Sequence, residues 1–192
     1  MNSVGEFMKS PRIVDILLVV LATAAVTIAA MSYLRSVRGS APPLTLTARS
    51  QELIGKVLPR LPVLSTNGGA SFAIDSSTAS TVVLVFRSSC PFCERNSPNW
   101  RSLTDALAGR ARVIAVSAEP IDSARAWLRT HGLKVDSLLI PANPADLSAW
   151  YVPGVPLTLV TDRHARITYA KLGVLSTEDR RTVVETVVLA SQ

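Results

Sequence analysis

The only two cysteines of this 192-residue chain stand three positions apart, in the run Cys90-Pro91-Phe92-Cys93. Residues three apart on a helix share one side of it, with Cβ atoms roughly 5–6 Å apart, whereas a relaxed disulfide needs roughly 3.5–4.5 Å. A bridge can therefore close with modest strain, and such a disulfide is easily reduced and remade. The spacing predicts a pair that exchanges electrons rather than a structural cross-link.

The two sulfurs are not expected to be equivalent. If a helix begins at Cys90, its free backbone N–H groups and positive dipole end stabilise a thiolate there, and Arg87 and Arg95 add positive charge. Cys93, one turn further in, has less access to solvent and suits the thiol that attacks a mixed disulfide from within. We therefore assign Cys90 as the nucleophile and Cys93 as the resolving cysteine, with Phe92 available to contact a partner.

Other uses of a cysteine pair fit less well. A structural disulfide across four residues would constrain the unfolded chain little. A zinc site would need two more ligands, and the only histidines, His131 and His164, are isolated in the sequence. A peroxide-reducing cysteine would also follow a strand, but that chemistry does not need a second thiol three residues on. We expect no metal and no cofactor, and keep a peroxidase as a less favoured alternative.

The segments around the pair predict alternating strands and helices. Residues 81–86, TVVLVF, form an apolar run of strand length that leads straight to the cysteines. A helix follows from Cys93 to about Ala108, interrupted by Pro98, and then come a strand over 112–117 and a helix over 121–131.

The flanking segments complete this pattern. A hairpin is predicted around Asn67-Gly68-Gly69, a short strand over 138–140 and a short helix over 145–150. Strands over 157–161 and 166–172 precede a closing helix over 177–190. The fold class is therefore α/β, a mixed central sheet with helices on both faces.

The amino-terminal part of the chain has a different composition. Residues 13–33 are an apolar run of 21 residues with one charge, Asp15, and as a helix they would span roughly 30 Å, the thickness of a bilayer core. A cleaved signal peptide usually has a shorter apolar core, and a buried core helix would show a polar face. We therefore predict a cytoplasmic tail over 1–12, a transmembrane anchor over 13–33, a linker over 34–50 and a domain over 51–192.

Charge gives little indication of a nucleic-acid partner. The net charge is +6, but the basic residues are scattered and the three tryptophans lie far apart in the sequence. A nucleic-acid binder would gather its positive charge on one face together with aromatic residues. We expect no nucleic-acid partner.

The strand TVVLVF, the run SSCPFC, the helix interrupted by proline and the later run GVPLTLV together resemble the thioredoxin superfamily. The apolar amino-terminal run makes the chain similar to the membrane-anchored TlpA/ResA-type thiol-disulfide oxidoreductases. This resemblance covers about residues 50–192 and implies a thioredoxin-like fold. It also implies that Pro156 faces the cysteines through a cis peptide, and that the backbone at Val155 pairs with an incoming peptide.

The chain departs from that pattern at two places near the cysteines. Arg87-Ser88-Ser89 stands where the family commonly has an aromatic approach, and Leu84 takes the position of the buried acid of thioredoxin. Water, Glu94 or Glu119 is then left to accept the proton of Cys93.

The resemblance implies thiol–disulfide exchange with other proteins. The expected partners are cysteine-containing proteins of the cell envelope, such as apocytochrome c, together with a membrane redox partner. The expected location is the cytoplasmic membrane, crossed once, with the soluble domain on the periplasmic or extracytoplasmic side. The alternative from a different class is a non-catalytic binding or assembly module of the same fold.

Overall fold

The computed structural model describes residues 11–39, 46–64, 70–74 and 80–190. The chain forms two compact units, Met1–Leu44 and Thr45–Gln192. The first contains helix α1, Pro11–Gly39. The second contains the following elements in chain order: α2 Leu46–Gln51, β1 Leu61–Val63, β2 Ala70–Phe72, β3 Ser80–Val85, α3 Pro91–Ala106, β4 Arg112–Val116, α4 Ile121–Thr130, β5 Ser137–Leu139, a 3-10 turn Pro144–Ser148, β6 Leu157–Asp162, β7 Ile167–Leu172 and α5 Thr177–Ala190.

A five-stranded mixed sheet lies at the centre of the second unit, in the order β5-β4-β3-β6-β7. Strand β3 is parallel to β4, with Val83 beside Ile114, and antiparallel to β6, with Val83 beside Leu159. All six residues of β3 are buried, as expected for a strand covered on both faces. The chain runs from the end of this central strand to the two cysteines.

The two faces of the sheet are covered differently. On the helical face, α3, α4 and α5 pack over alternate residues of β3; among the buried side chains of this face are Val82, Leu84, Phe86, Trp100, Trp127 and Val183. On the hairpin face, the β1–β2 hairpin, the segment before it and the 3-10 turn cover the other residues of β3; the buried side chains here include Leu53, Leu58, Leu61, Val83, Val85 and Trp150.

This arrangement differs from the prediction of helices on both faces. The three long helices of the unit share one face, and the segment predicted as a short helix over 145–150 forms a 3-10 turn, Pro144–Ser148, on the other. The antiparallel pairing of β1 with β2 confirms the hairpin, while its Asn67-Gly68-Gly69 turn lies outside the described residues. The mixed α/β sheet itself is confirmed.

The described residues cover part of the three segments predicted at the amino terminus. The run 13–33 lies within α1, whose described apolar side chains from Ile16 to Met31 are exposed. Over the residues that the structure describes, no helix combines the length and the apolarity needed to cross a bilayer. Residues 1–10 of the predicted tail and 40–45 of the predicted linker lie outside the described residues.

The predicted linker over 34–50 contains helical residues at both ends. Helix α1 continues to Gly39, and α2 begins at Leu46. The second helix joins the folded unit because the hydroxyl of Ser50 accepts a hydrogen bond from the backbone N–H of Leu172, at 2.8 Å. Pairing a buried backbone donor in this way makes α2 part of the sheet edge rather than of a free tether.

Candidate redox site

Cys90 lies between the central strand β3 and helix α3, directly before the first residue of the helix. It is the N-cap residue, with extended backbone angles, and Pro91 occupies the first helical turn, where its missing N–H costs nothing. The backbone N–H of Glu94 donates to the carbonyl of Cys90 at 3.1 Å, which begins the helix. The side chain of Cys90 makes no capping hydrogen bond. As the N-cap residue, Cys90 lies at the positive end of the helix dipole.

The loop before β6 brings a second backbone group to this sulfur. The Cys90 thiol donates to the carbonyl oxygen of Val155 at 3.8 Å, and the Val155-Pro156 peptide is cis. Pro156 is buried, whereas Cys90 and Val155 are partly exposed. The cis peptide implied by the resemblance is thus confirmed, and Pro156 lies next to the residue that contacts Cys90.

Cys93 has the opposite environment. Its side chain is fully buried, and both cysteines are free thiols. Burial raises the pKa of Cys93 to about 12; a backbone hydrogen bond at Arg87 opposes the rise, while a hydrogen bond with Cys90 and the negative charges of Cys90 and Glu119 add to it. Cys93 is therefore a protonated, shielded thiol at neutral pH, as expected of the resolving cysteine.

A carboxylate holds the turn that precedes Cys90. Glu119, just after β4, accepts from the backbone N–H of Ser88 at 2.7 Å and from the Ser88 hydroxyl at 2.8 Å. The Ser117 hydroxyl also donates to it, at 3.1 Å. In the same turn, the carbonyl of Arg87 accepts from the N–H of Cys90 at 3.1 Å. The Glu119 contacts therefore join the ends of the parallel strands β3 and β4 beside the turn that leads to Cys90.

The other carboxylate near the pair points elsewhere. Glu94 accepts from the indole N–H of Trp127 at 3.3 Å and lies 3.1 Å from Nε2 of His131. The Trp127 ring stacks on Phe86, at the end of the central strand, with 4.7 Å between ring centroids. Glu94 thus connects α3 to α4.

Pro98 changes the hydrogen bonding within α3. A proline has no N–H to donate to the carbonyl four residues earlier, which here belongs to Glu94. The hydroxyl of Ser97 donates to that carbonyl at 2.9 Å instead. The proline is thereby accommodated inside α3 without leaving the Glu94 carbonyl unpaired.

Phe92 is the large apolar residue that the site leaves exposed, with 52% of its surface accessible. The guanidinium of Arg95 lies over its ring at 4.5 Å from the centroid, an arrangement in which the ring quadrupole attracts the cation. The predicted contact residue is therefore on the surface, two positions from the partly exposed Cys90.

The five site residues predicted from the sequence lie close together. Cys90, Cys93, Phe92, Val155 and Pro156 lie around one point at the carboxyl end of the central strand. Their individual roles stay predictions.

Two serines at the site were missed from the sequence. Ser88 and Ser117 hold Glu119, and all three follow neighbouring parallel strands, whose carboxyl ends meet at one sheet edge. Their place directly after two predicted strands was the signal in the sequence that could have identified them. Elsewhere, Leu84 is buried in the central strand, so no carboxylate occupies that position. Within the described ranges, no three His, Cys, Asp or Glu side chains gather as a metal site.

Comparison with solved structures gives the class of fold. The thioredoxin domain of a thiol-disulfide oxidoreductase from Bacteroides vulgatus superposes with a TM-score of 0.58 at 15% identity, covering 70% of this chain and 97% of that one. A putative thiol:disulfide interchange protein DsbE from Chlorobium tepidum gives 0.58 at 15%, covering 72% and 98%. A thio-disulfide isomerase from Thermus thermophilus gives 0.54 at 22%, covering 71% and 96%. The second unit has a thioredoxin-like fold.

The family follows from the sequence comparison. Residues 54–190 match the AhpC/TSA family, and the chain belongs to it. No curated protein matches the sequence. Because the fold hosts many activities, function has to be argued from the cysteines and their surroundings.

Proposed function

We propose that this protein is a thiol-disulfide oxidoreductase that exchanges electrons with other proteins through Cys90 and Cys93. One observation carries the proposal: a partly exposed thiol at the start of α3 contacts the Val155 carbonyl, while its partner thiol is buried one turn away. The exposed sulfur can meet a protein disulfide, and the buried one can react only after that encounter. The thiol-disulfide neighbours of the same fold support this assignment.

The proposed reaction has two steps. The Cys90 thiolate attacks one sulfur of a partner disulfide, that S–S bond breaks, and the other partner sulfur leaves as a thiolate that takes a proton from water. Cys93 then loses its proton to solvent and attacks the Cys90 sulfur. The Cys90–Cys93 disulfide forms, the second partner sulfur leaves, and two electrons have passed to the partner. Run in reverse, the same steps oxidise a partner dithiol.

The test is capture of the mixed disulfide. In Cys93→Ser the second step is blocked, so we expect partner proteins to remain bound through Cys90 and to be released by dithiothreitol on a non-reducing gel. Cys90→Ser is the matched control, because it keeps the other cysteine and removes the exposed one. A Cys93→Ser protein that captures nothing beyond the Cys90→Ser background contradicts the proposal and favours the non-catalytic binding module.

The same variant tests the peroxidase alternative. The first step of peroxide reduction needs only one thiol, here that of Cys90. If the protein is a peroxidase, Cys93→Ser therefore still consumes one equivalent of hydrogen peroxide, at a rate far above that of a free thiol. We expect no such acceleration, because the buried second thiol one turn away suits dithiol exchange.

We further propose that residues 13–33 anchor the chain in the cytoplasmic membrane, with the thioredoxin-like unit on the extracytoplasmic side. The support is the run of 21 residues with one charge. On the extracytoplasmic side, the partners of this protein would be cysteine-containing envelope proteins, such as apocytochrome c, and a membrane redox partner. A single cysteine introduced at residue 44 in a Cys90→Ser/Cys93→Ser chain should react with an impermeant maleimide on intact cells; reaction only after lysis contradicts this location.

A further inference from the structure

We propose that the exposed surface beside Cys90, formed by Arg87, Phe92 and Arg95, selects partner segments that carry a carboxylate close in sequence to their reacting cysteine. This inference rests on the proposed exchange function. It adds the kind of polypeptide segment that the redox pair prefers as its partner.

A partner segment that reaches the sulfur of Cys90 meets two parts of the chain. One is the loop before β6, which contains no charged residue and whose Val155 carbonyl accepts from the Cys90 thiol at 3.8 Å. The other is the turn and helix start that carry Cys90, where Arg87, Phe92 and Arg95 are all exposed. The positive charges that the segment meets therefore come from the side of α3.

The two acidic side chains of this region are directed at donors within the protein. Glu119 accepts from the backbone N–H and the hydroxyl of Ser88, at 2.7 and 2.8 Å. Glu94 accepts from the indole N–H of Trp127 at 3.3 Å and lies 3.1 Å from Nε2 of His131. Because each carboxylate already has partners inside the protein, the two arginines dominate the charge that a partner segment meets.

The contact between Arg95 and Phe92 keeps a cation beside the thiol and leaves it able to bind a carboxylate. The guanidinium lies over the ring, 4.5 Å from the centroid. The ring attracts it through its quadrupole, whereas a carboxylate is bound through the N–H donors of the guanidinium, often two at a time. Phe92, with 52% of its surface accessible, also offers an apolar contact to a neighbouring side chain of the partner.

The experiment compares three peptide disulfides that differ in charge. Each is a dimer of one short peptide, joined through its single cysteine, with Glu, Gln or Lys on both sides of that cysteine. Reduced protein is mixed with each dimer, the reaction is quenched with acid, and the released peptide thiol is measured by chromatography. Because charge also changes the intrinsic reactivity of a peptide disulfide, the quantity compared between proteins is the ratio of the rate constants for the Glu and Gln peptides.

Removing one arginine should reduce this preference. We expect Arg95→Gln to lower the Glu-to-Gln ratio by about two- to fivefold, the range for loss of an exposed ion pair, and to raise the Lys-to-Gln ratio. Arg87→Gln should change both ratios in the same directions. The preference of the unchanged protein should weaken as salt is added, because exposed charges are screened. Any effect of Arg95 on the Cys90 thiolate itself acts on all three peptides and cancels in the ratios.

Arg112→Gln is the matched control. Arg112 also lies over a phenylalanine ring, that of Phe72, at 5.1 Å from the centroid. It begins β4, at the end of the sheet opposite to the one that leads to the cysteines, so its removal should leave both ratios in place. Arg95→Lys keeps the positive charge and should keep the Glu-to-Gln ratio closer to that of the unchanged protein than Arg95→Gln does.

The proposal is overturned if Arg95→Gln and Arg87→Gln leave the Glu-to-Gln ratio unchanged, or if Arg112→Gln lowers it as much as they do. Failure of the exchange function itself has a different signature. In that case none of the three peptide disulfides is reduced faster than by a free thiol, and Cys93→Ser captures no partner protein.

Discussion

Two fully buried tryptophans, one on each face of the central sheet, show how differently the two faces are used. Trp100 of α3 donates its indole N–H to the hydroxyl of Thr158 in β6, at 2.9 Å. Trp150 on the hairpin face donates to the carbonyl of Pro59, at 2.7 Å. Both bury a large ring and satisfy its polar atom. Only Trp100 joins the helix that carries the cysteines to the strand that follows Pro156.

This difference indicates a division between reaction and support. On the helical face, the same contacts that close the core also fix Cys90 relative to Val155 and Pro156. On the hairpin face, the contacts fasten the amino-terminal segment of the unit to the sheet. A packing defect should therefore have different consequences on the two faces, even where it costs the same stability.

The largest expected effect tests this division directly. Trp150→Ala should lower the free energy of unfolding by about 3–5 kcal/mol, the usual range for a buried Trp replaced by Ala, measured by urea denaturation. The rate at which Cys90 attacks dipyridyl disulfide, followed as released thiopyridone and expressed per folded molecule, should not change, because the Trp150 indole bonds to Pro59 and not to the strand that follows Pro156.

Trp100→Ala is the matched variant on the helical face. It should lose stability in the same range and also slow the attack of Cys90 on dipyridyl disulfide per folded molecule, since the link from α3 to Thr158 is lost. The division of the two faces is wrong if Trp150→Ala slows exchange as much as Trp100→Ala does.

A smaller effect is expected at the start of α5, on the helical face but away from the sulfurs. Asp179 accepts from the backbone N–H of Ser176 at 2.8 Å and lies 3.0 Å from the ammonium of Lys171. Partial burial alone would raise the pKa of Asp179, but hydrogen bonds from Ser176 and the Lys171 partner outweigh it, and the net pKa is lowered.

A carboxyl group whose pKa is lowered in the folded state stabilises the fold at pH values above the ordinary pKa of aspartate. That contribution to stability is lost as the pH falls through the folded-state pKa. Stability should therefore decline below about pH 4. Asp179→Asn should flatten this decline and cost about 1 kcal/mol at neutral pH, as loss of a helix cap does. The measurement is urea denaturation from acid to neutral pH. Asp122→Asn, at an exposed carboxylate, should leave the acid profile unchanged; an equal change there would contradict this assignment.

The elements of the sheet were predictable because their signals are local. The run TVVLVF has the length and apolarity of a buried strand, and β3 occupies Ser80–Val85. The hydrophobic spacing of α3 and α4 likewise fixed which side of each helix is buried. It did not fix the face of the sheet on which each helix docks, because that depends on contacts between residues distant in sequence.

The same distinction applies to the site. Cys90 and Cys93 form a short motif, and Pro156 was found through the resemblance, so all three were identified before the structure. The hydrogen bonds from Ser88 to Glu119 were not, because they join residues 31 positions apart. A sequence shows that two strands end in polar residues, but only their parallel pairing shows that those residues meet.

The proline inside α3 interrupts the backbone hydrogen bonding between the turns that carry the cysteines and the half of the helix around Trp100. No N–H from Pro98 ties the two parts together at the Glu94 carbonyl, and a serine hydroxyl takes that place. Local opening of the turns that carry the cysteines then need not spread to the carboxyl-terminal half around Trp100. In hydrogen–deuterium exchange, α3 would accordingly behave as two cooperative units, a labile one bearing the thiols and a slowly exchanging one held by the core.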